Sequence, residues 1–149
     1  MTSYVQTSLR NFSPLLAVLS VMASLGANAQ ESPPAGEKVS GQQLQSWLDG
    51  KFSYAGVNKA SQCTLLNAAQ GAGRVLFIRC PNGWAEKLAG TARVVGDSYC
   101  TSFPIPNTTP GEDCVTWHST GQWRFEQRKG DVLDTTVILL PQGLSSMQR

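Results

Sequence analysis

From Lys51 to Leu140 the chain holds no helical period. Glycine or proline recurs every few residues, and the runs between them are short and rich in β-branched, aromatic and aliphatic side chains. That alternation of short strands and turn signals describes an antiparallel meander or a small barrel-like sheet. The fold class that follows is mainly β, with one short N-terminal helix and two disulfide staples.

The helix is confined to residues 40–50. Ser40 is a suitable N-cap, with Gln43 at the capping-box spacing, and Val39 and Leu44 stand at the staple positions on either side. Leu44, Trp47 and Leu48 recur at i, i+3 and i+4, an apolar stripe that must dock on something because so short a helix does not persist alone. Gly50 is expected to end it from the left-handed C′ position. Trp47 reads as a core anchor.

The four cysteines are Cys63, Cys80, Cys100 and Cys114. Four cysteines permit three connectivities. Each sequential pair flanks one turn-rich segment, which favours Cys63 with Cys80 and Cys100 with Cys114. The spacing lacks the ligands two to four residues apart of a cysteine zinc site, so no metal is expected.

Pairing Cys63 with Cys80 sets a hairpin from Ala60–Asn67 and Gly73–Cys80, with Leu65 opposite Ile78 and Asn67 opposite Leu76. Leu65, Leu76 and Ile78 then share the bridge's face, toward the core. Val75 to Ile78 is continuously apolar and reads as a strand buried on both sides, one side covered by the helix. In the second pair, Tyr99, Thr101, Phe103, Val115 and Trp117 face inward, and the Cys100–Cys114 bridge lies on the wetter face. It staples the loop PIPNTTPGED, whose three prolines rule out ladder hydrogen bonding. A stiffened loop held at its base is the candidate binding element, carried by Phe103, Pro104, Pro106, Asn107, Thr108 and Pro110. A third hairpin is expected with Trp123 opposite Val137 and a three-residue loop at Lys129, Gly130 and Asp131.

Residues 1–29 have the pattern of a signal peptide: Arg10, an apolar stretch from Phe12 to Ala27, then Ala27-Asn28-Ala29 before a cleavage point at Gln30. The expected organisation is a flexible lead at 30–38, one β-rich domain at 39–141 and a frayed tail at 142–149. Location is expected to be periplasmic or secreted, with no membrane association after cleavage. The chain carries 12 Lys and Arg against 10 Asp and Glu, for a formal charge of +2. Removing the leader takes away Arg10 alone, so the domain is close to neutral and has no footprint for nucleic acid.

No catalytic constellation is visible. Gly96-Asp97-Ser98 looks like a fragment of a serine-hydrolase motif, and His118 is the only histidine. Yet no nucleophile elbow or oxyanion loop accompanies them, and Gly-Asp-Ser reads as a turn. Glu112 and Asp113 are adjacent, so on a strand they diverge. No phosphate-binding loop or dinucleotide fingerprint appears, and no cofactor is expected.

The segments GTARVVGDSYC, GEDCVTW and GQWRFEQRKGD, with LQSWLDGKFSYAG before them, resemble a domain-of-unknown-function family of small exported proteobacterial proteins. Ala92 stands where such sequences usually have tryptophan. The resemblance implies a β-rich exported fold and the Cys100–Cys114 bridge, and no activity. The expected function is a non-catalytic binding or interaction module for a protein or small ligand. The alternative is an inhibitor of secreted hydrolases.

Overall fold

The computed structural model describes residues 31–140; the leader expected at 1–29 and the tail expected at 142–149 lie outside the described residues. One helix, α1 (Gly41–Asp49), precedes eight strands. They are β1 (Ser53–Asn58), β2 (Thr64–Gln70), β3 (Gly73–Arg79), β4 (Ala85–Val95), β5 (Ser98–Ser102), β6 (Asp113–Gly121), β7 (Arg124–Lys129) and β8 (Val132–Leu140). Each strand pairs antiparallel with the next, and β1 pairs with β8 from Ser53↔Leu140 to Asn58↔Thr135, so the sheet closes into a barrel. Closure removes the free edges that an open meander would expose. An eight-stranded barrel is just wide enough to be filled by its own side chains or to hold one small ligand.

Both disulfides form as the spacing suggests, Cys63–Cys80 and Cys100–Cys114. Such bridges belong to proteins that mature in an oxidising environment. Leu65 opposes Ile78 and Asn67 opposes Leu76, the register set by the first bridge.

α1 caps one end of the barrel. The Ser40 hydroxyl accepts from the Gln43 amide at 3.2 Å, and Val39 and Leu44 are both fully buried. Asp97, in the turn between β4 and β5, accepts from the Gly41 amide at 2.8 Å. A Cβ at position 41 would collide with the Gly96 carbonyl, so glycine is needed for this close approach. Trp47 enters the barrel and meets Phe125 at 5.4 Å and Trp117 at 6.1 Å between ring centroids. Phe52, Tyr54 and Tyr99 complete the aromatic cluster around Trp117. Burying an aromatic of this size contributes about 1.5–3 kcal/mol, which is what holds so short a helix in place.

Four expectations need correction. Gly50 does not take the left-handed position: its φ is −75°, and Lys51 takes it instead with φ 57°. The Lys51 amide reaches Leu48 O and the Phe52 amide reaches Trp47 O, a Schellman closure displaced by one residue. The displacement lets Phe52 pack on Trp47.

The helix does not cover β3; it packs on β4 and β5. Only Val75 and Leu76 of the apolar run are buried, and Phe77 and Ile78 are half-buried.

The third hairpin pairs Phe125, not Trp123, with Val137, and its turn is the two residues Gly130 and Asp131, with an irregularity at Gln127/Arg128. A slip of two residues leaves every side chain on its own face, so the apolar pattern could not distinguish the two registers. Trp123 lies in the β6–β7 turn with φ 56° and still sends its ring to Trp47.

The lead is tied down over much of its length. β5 pairs with β6 only from Tyr99↔Val115 to Thr101↔Asp113, which leaves that side of β6 open beyond Val115. Residues 36–39 fill it: Gly36 N donates to Ser119 O, Ser119 N to Glu37 O, and Val39 N to Trp117 O. The Ser119 hydroxyl donates to Pro33 O at 2.7 Å.

Candidate functional site: the open end of the barrel

Opposite α1, the loops β1–β2 and β5–β6 and the adjoining ends of β7 and β8 surround a cavity of about 640 Å³. Its walls are apolar: Leu65, Leu76 and Ile78 from β2 and β3, Val115 from β6, and Phe103 and Ile105 from the β5–β6 loop. Its floor is polar, made by Tyr54, Asn67, Tyr99, Gln127 and Thr135. All five are buried. The aromatic cluster under α1 lies beneath that floor, so the barrel is packed at one end and hollow at the other.

The stapled loop does not simply project; it folds over this mouth. Phe103, Thr108 and Pro110 line the cavity, whereas Pro104, Pro106 and Asn107 are exposed and outside its lining. Pro106 and Asn107 occupy the middle of a turn closed by Thr108 N to Ile105 O, and Asn107 has φ 61°. Proline then a residue tolerant of positive φ suits a type II turn. The Thr108 hydroxyl donates to Ile105 O at 2.7 Å, which locks the turn. Gly90 on β4 is required beneath it, since a Cβ there would run into Ser102 O and the Phe103 ring.

The base of the loop is held three ways. Cys100–Cys114 crosses it, with Cys100 fully buried and Cys114 exposed, so the bridge is drier than its expected wet face. Arg93 grips Glu112 through two bonds of 2.7 Å, and this pairing lowers the Glu112 carboxyl. Lys129 reaches Asp113 at 3.0 Å and Asp134 at 3.4 Å. Burial pulls the Lys129 ammonium down, but these two carboxylates hold it above its ordinary value on balance. Glu112 and the two cysteine sulfurs of this bridge lie within 4.8 Å of one another, but both sulfurs are committed to the disulfide and offer no thiolate.

Behind the floor stands Arg74, on the inward face of β3 below Leu76 and Ile78. It is 3% exposed. Its Nε donates to Asn67 Oδ1 at 2.8 Å and its Nη1 to Phe52 O at 2.8 Å, with the guanidinium carbon 4.8 Å from the Phe52 ring centroid. Nη2 has no hydrogen bond of good geometry, though the Tyr99 hydroxyl stands beside the guanidinium, and Arg74 makes no ion pair among the described residues. The Tyr99 hydroxyl, between Arg74 and Tyr54, and Gln127 Nε2, near Tyr54, are likewise buried without a hydrogen bond of good geometry. Burial pushes the Tyr54 phenol up to about 12, against the opposing pull of Gln127 and Arg74. Burial, with Tyr54 beside it, also drives Tyr99 upward. Both phenols are therefore neutral donors at physiological pH.

The Gly96-Asp97-Ser98 segment is the β4–β5 turn that caps α1 through Asp97. His118 Nε2 lies 3.0 Å from Thr116 Oγ1, and no hydrogen bond joins it to Ser98 among the described residues. Burial, then the charges of Arg128 and Lys38, lower the His118 imidazole. Among the described residues no helix is long and apolar enough to cross a membrane.

The inward polar residues Asn67, Arg74 and Gln127 were not singled out from the sequence. The signal was present for two of them. Asn67 sits on the bridge's own face in the register set by Cys63 and Cys80, and Arg74 lies two residues from Leu76 on the partner strand. Comparison of the chain with protein-family models, with curated proteins and with solved structures finds no match in any of the three.

Proposed function

We propose that the protein is an exported, non-catalytic binding module that admits a small ligand to the open end of its barrel. The observation that carries this reading is the cavity of about 640 Å³ with apolar walls and a few convergent polar groups at its floor. Ligand sites are typically clefts of about 300–1,000 Å³ with that division of chemistry, and barrel mouths are among their usual places. The stapled loop forms one wall, so it acts as a fixed part of the binding surface. Export is supported by the leader pattern at 1–29 and by the two disulfides.

Binding of the neutral solvatochromic dye Nile red tests the reading. The native protein should shift the dye's emission to the blue at one saturable site, and Thr101→Trp, which fills the cavity from β5, should remove that site while leaving the fold intact. Unchanged binding by the filled variant would count against the cavity.

A second reading, inhibition of a secreted hydrolase, is supported by the exposed outer side of the loop at Pro104, Pro106 and Asn107. A panel of secreted hydrolases assayed with the purified protein tests it. Inhibition lost on Pro106→Ala/Asn107→Ala, with dye binding kept, would assign the loop's outer side to a protein partner.

A further inference from the structure

We propose that the cavity takes a small monocarboxylate, its carboxylate at the floor against Tyr99 and Gln127 with the Arg74 guanidinium behind them, and its apolar body along Leu65, Leu76 and Ile78. This rests on the small-ligand reading above and adds the class of ligand.

Behind the cavity floor lies a buried positive charge with no counter-charge among the described residues. A guanidinium is always charged and only donates. Arg74 is buried, two of its nitrogens donate to neutral acceptors, and otherwise only the neutral Tyr99 hydroxyl stands beside it. A buried charge without a counter-charge is strongly unfavourable unless something pairs with it. Within the described residues no carboxylate does so. The Tyr99 hydroxyl, beside Arg74 and Tyr54, and Gln127 Nε2, near Tyr54, are two neutral buried donors that line the floor without a well-formed hydrogen bond. Tyr99 is close enough to Arg74 to feel its charge. A floor of neutral donors backed by a buried charge without a counter-charge favours a group that is negative and only accepts. A carboxylate is that group, and bonds from charged donors to it are the strong kind.

The rest of the cavity narrows the class. The walls above the floor are hydrocarbon and aromatic, which suits an apolar body. The single guanidinium supplies one positive charge. At the mouth Glu112, Asp113 and Asp134 stand against Arg93 and Lys129, which leaves a net negative charge and disfavours a ligand of higher negative charge such as a phosphate ester.

The test uses isothermal titration of the oxidised full chain with octanoate and 4-phenylbutanoate, each beside its primary amide. The acids should bind about tenfold or more tightly than the amides, as expected for hydrogen bonds to a charged group. Arg74→Met should abolish the preference. Tyr99→Phe, which keeps the ring in the core, should reduce it several-fold and serves if Arg74→Met does not fold. Lys87→Met, on the outer face, should leave it unchanged. Acids and amides bound equally would overturn the carboxylate assignment and leave the small-ligand reading standing. Binding of neither set, with Nile red still bound, would also overturn the assignment. Binding of none of the three would remove both.

Discussion

Arg74 Nε donates to Asn67 Oδ1 at 2.8 Å across the β2–β3 pair, and both side chains are buried inside the barrel. The two positions are therefore coupled. Arg74→Met alone strands the Asn67 and Phe52 oxygens and should cost about 1–3 kcal/mol from lost partners, offset by removing an unpaired buried charge. Adding Asn67→Leu relieves one stranded acceptor. A double-mutant cycle in urea should give a coupling of about 0.5–3 kcal/mol, as for contacting residues. Strict additivity would mean that the bond contributes nothing in solution.

Lys51 holds φ 57° at the end of α1, where a side chain is strained. Lys51→Gly should raise the unfolding free energy by about 1 kcal/mol, the usual penalty for a non-glycine residue in this region. Chemical denaturation measures it directly. A loss of stability would show that Lys51 makes a compensating contact absent from this account.

The Cys100–Cys114 bridge closes a sequence separation of 14 residues. Replacing both cysteines by alanine should lower stability by about 3 kcal/mol on the chain-entropy argument. It should also weaken ligand binding, because Phe103 and Ile105 hang from this staple. Loss of stability with unchanged affinity would detach the loop from the site.

His118 has an imidazole lowered from 6.5 by burial first and by Arg128 and Lys38 next, against Glu126. The unfolded chain then takes up this proton more readily than the folded one. The stability it contributes is complete above pH 6.5 and is lost as pH falls through the lower folded value. His118→Asn should flatten the fall in urea midpoint across that window. Asp97 and Glu112, both lowered, act further into acid for the same reason of sign. An unchanged slope in the variant would place the titration elsewhere.

Much of the scaffold was legible because disulfide spacing and alternation act locally. Cys63 and Cys80 fixed the β2–β3 register to the residue, and Val39, Ser40 and Leu44 announced the helix start. The β7–β8 register was not legible, since Phe125 or Trp123 opposite Val137 gives the same faces. The alternation offered a meander or a barrel but could not choose between them: β1 finds β8 only after the whole chain has curled, and no short window records it. The stapled loop was visible from its prolines, and three of its six named residues, Phe103, Thr108 and Pro110, line the cavity. The floor and the arginine behind it went unnoticed because Tyr54, Asn67, Arg74, Tyr99 and Gln127 come from five strands and meet only in space. Arg74 is ordinary in the sequence and becomes unusual only when its burial is known.

The central claim is that the barrel is hollow above Tyr99 and Gln127 and that the ligand lies within it. Intermolecular NOEs from bound octanoate to the methyl groups of the protein test this most directly. The account predicts contacts from the alkyl chain to Leu65, Leu76 and Ile78 and none to Leu66 on the outer face. Contacts confined to the outer groove of Leu66, Phe77 and Lys87 would contradict it.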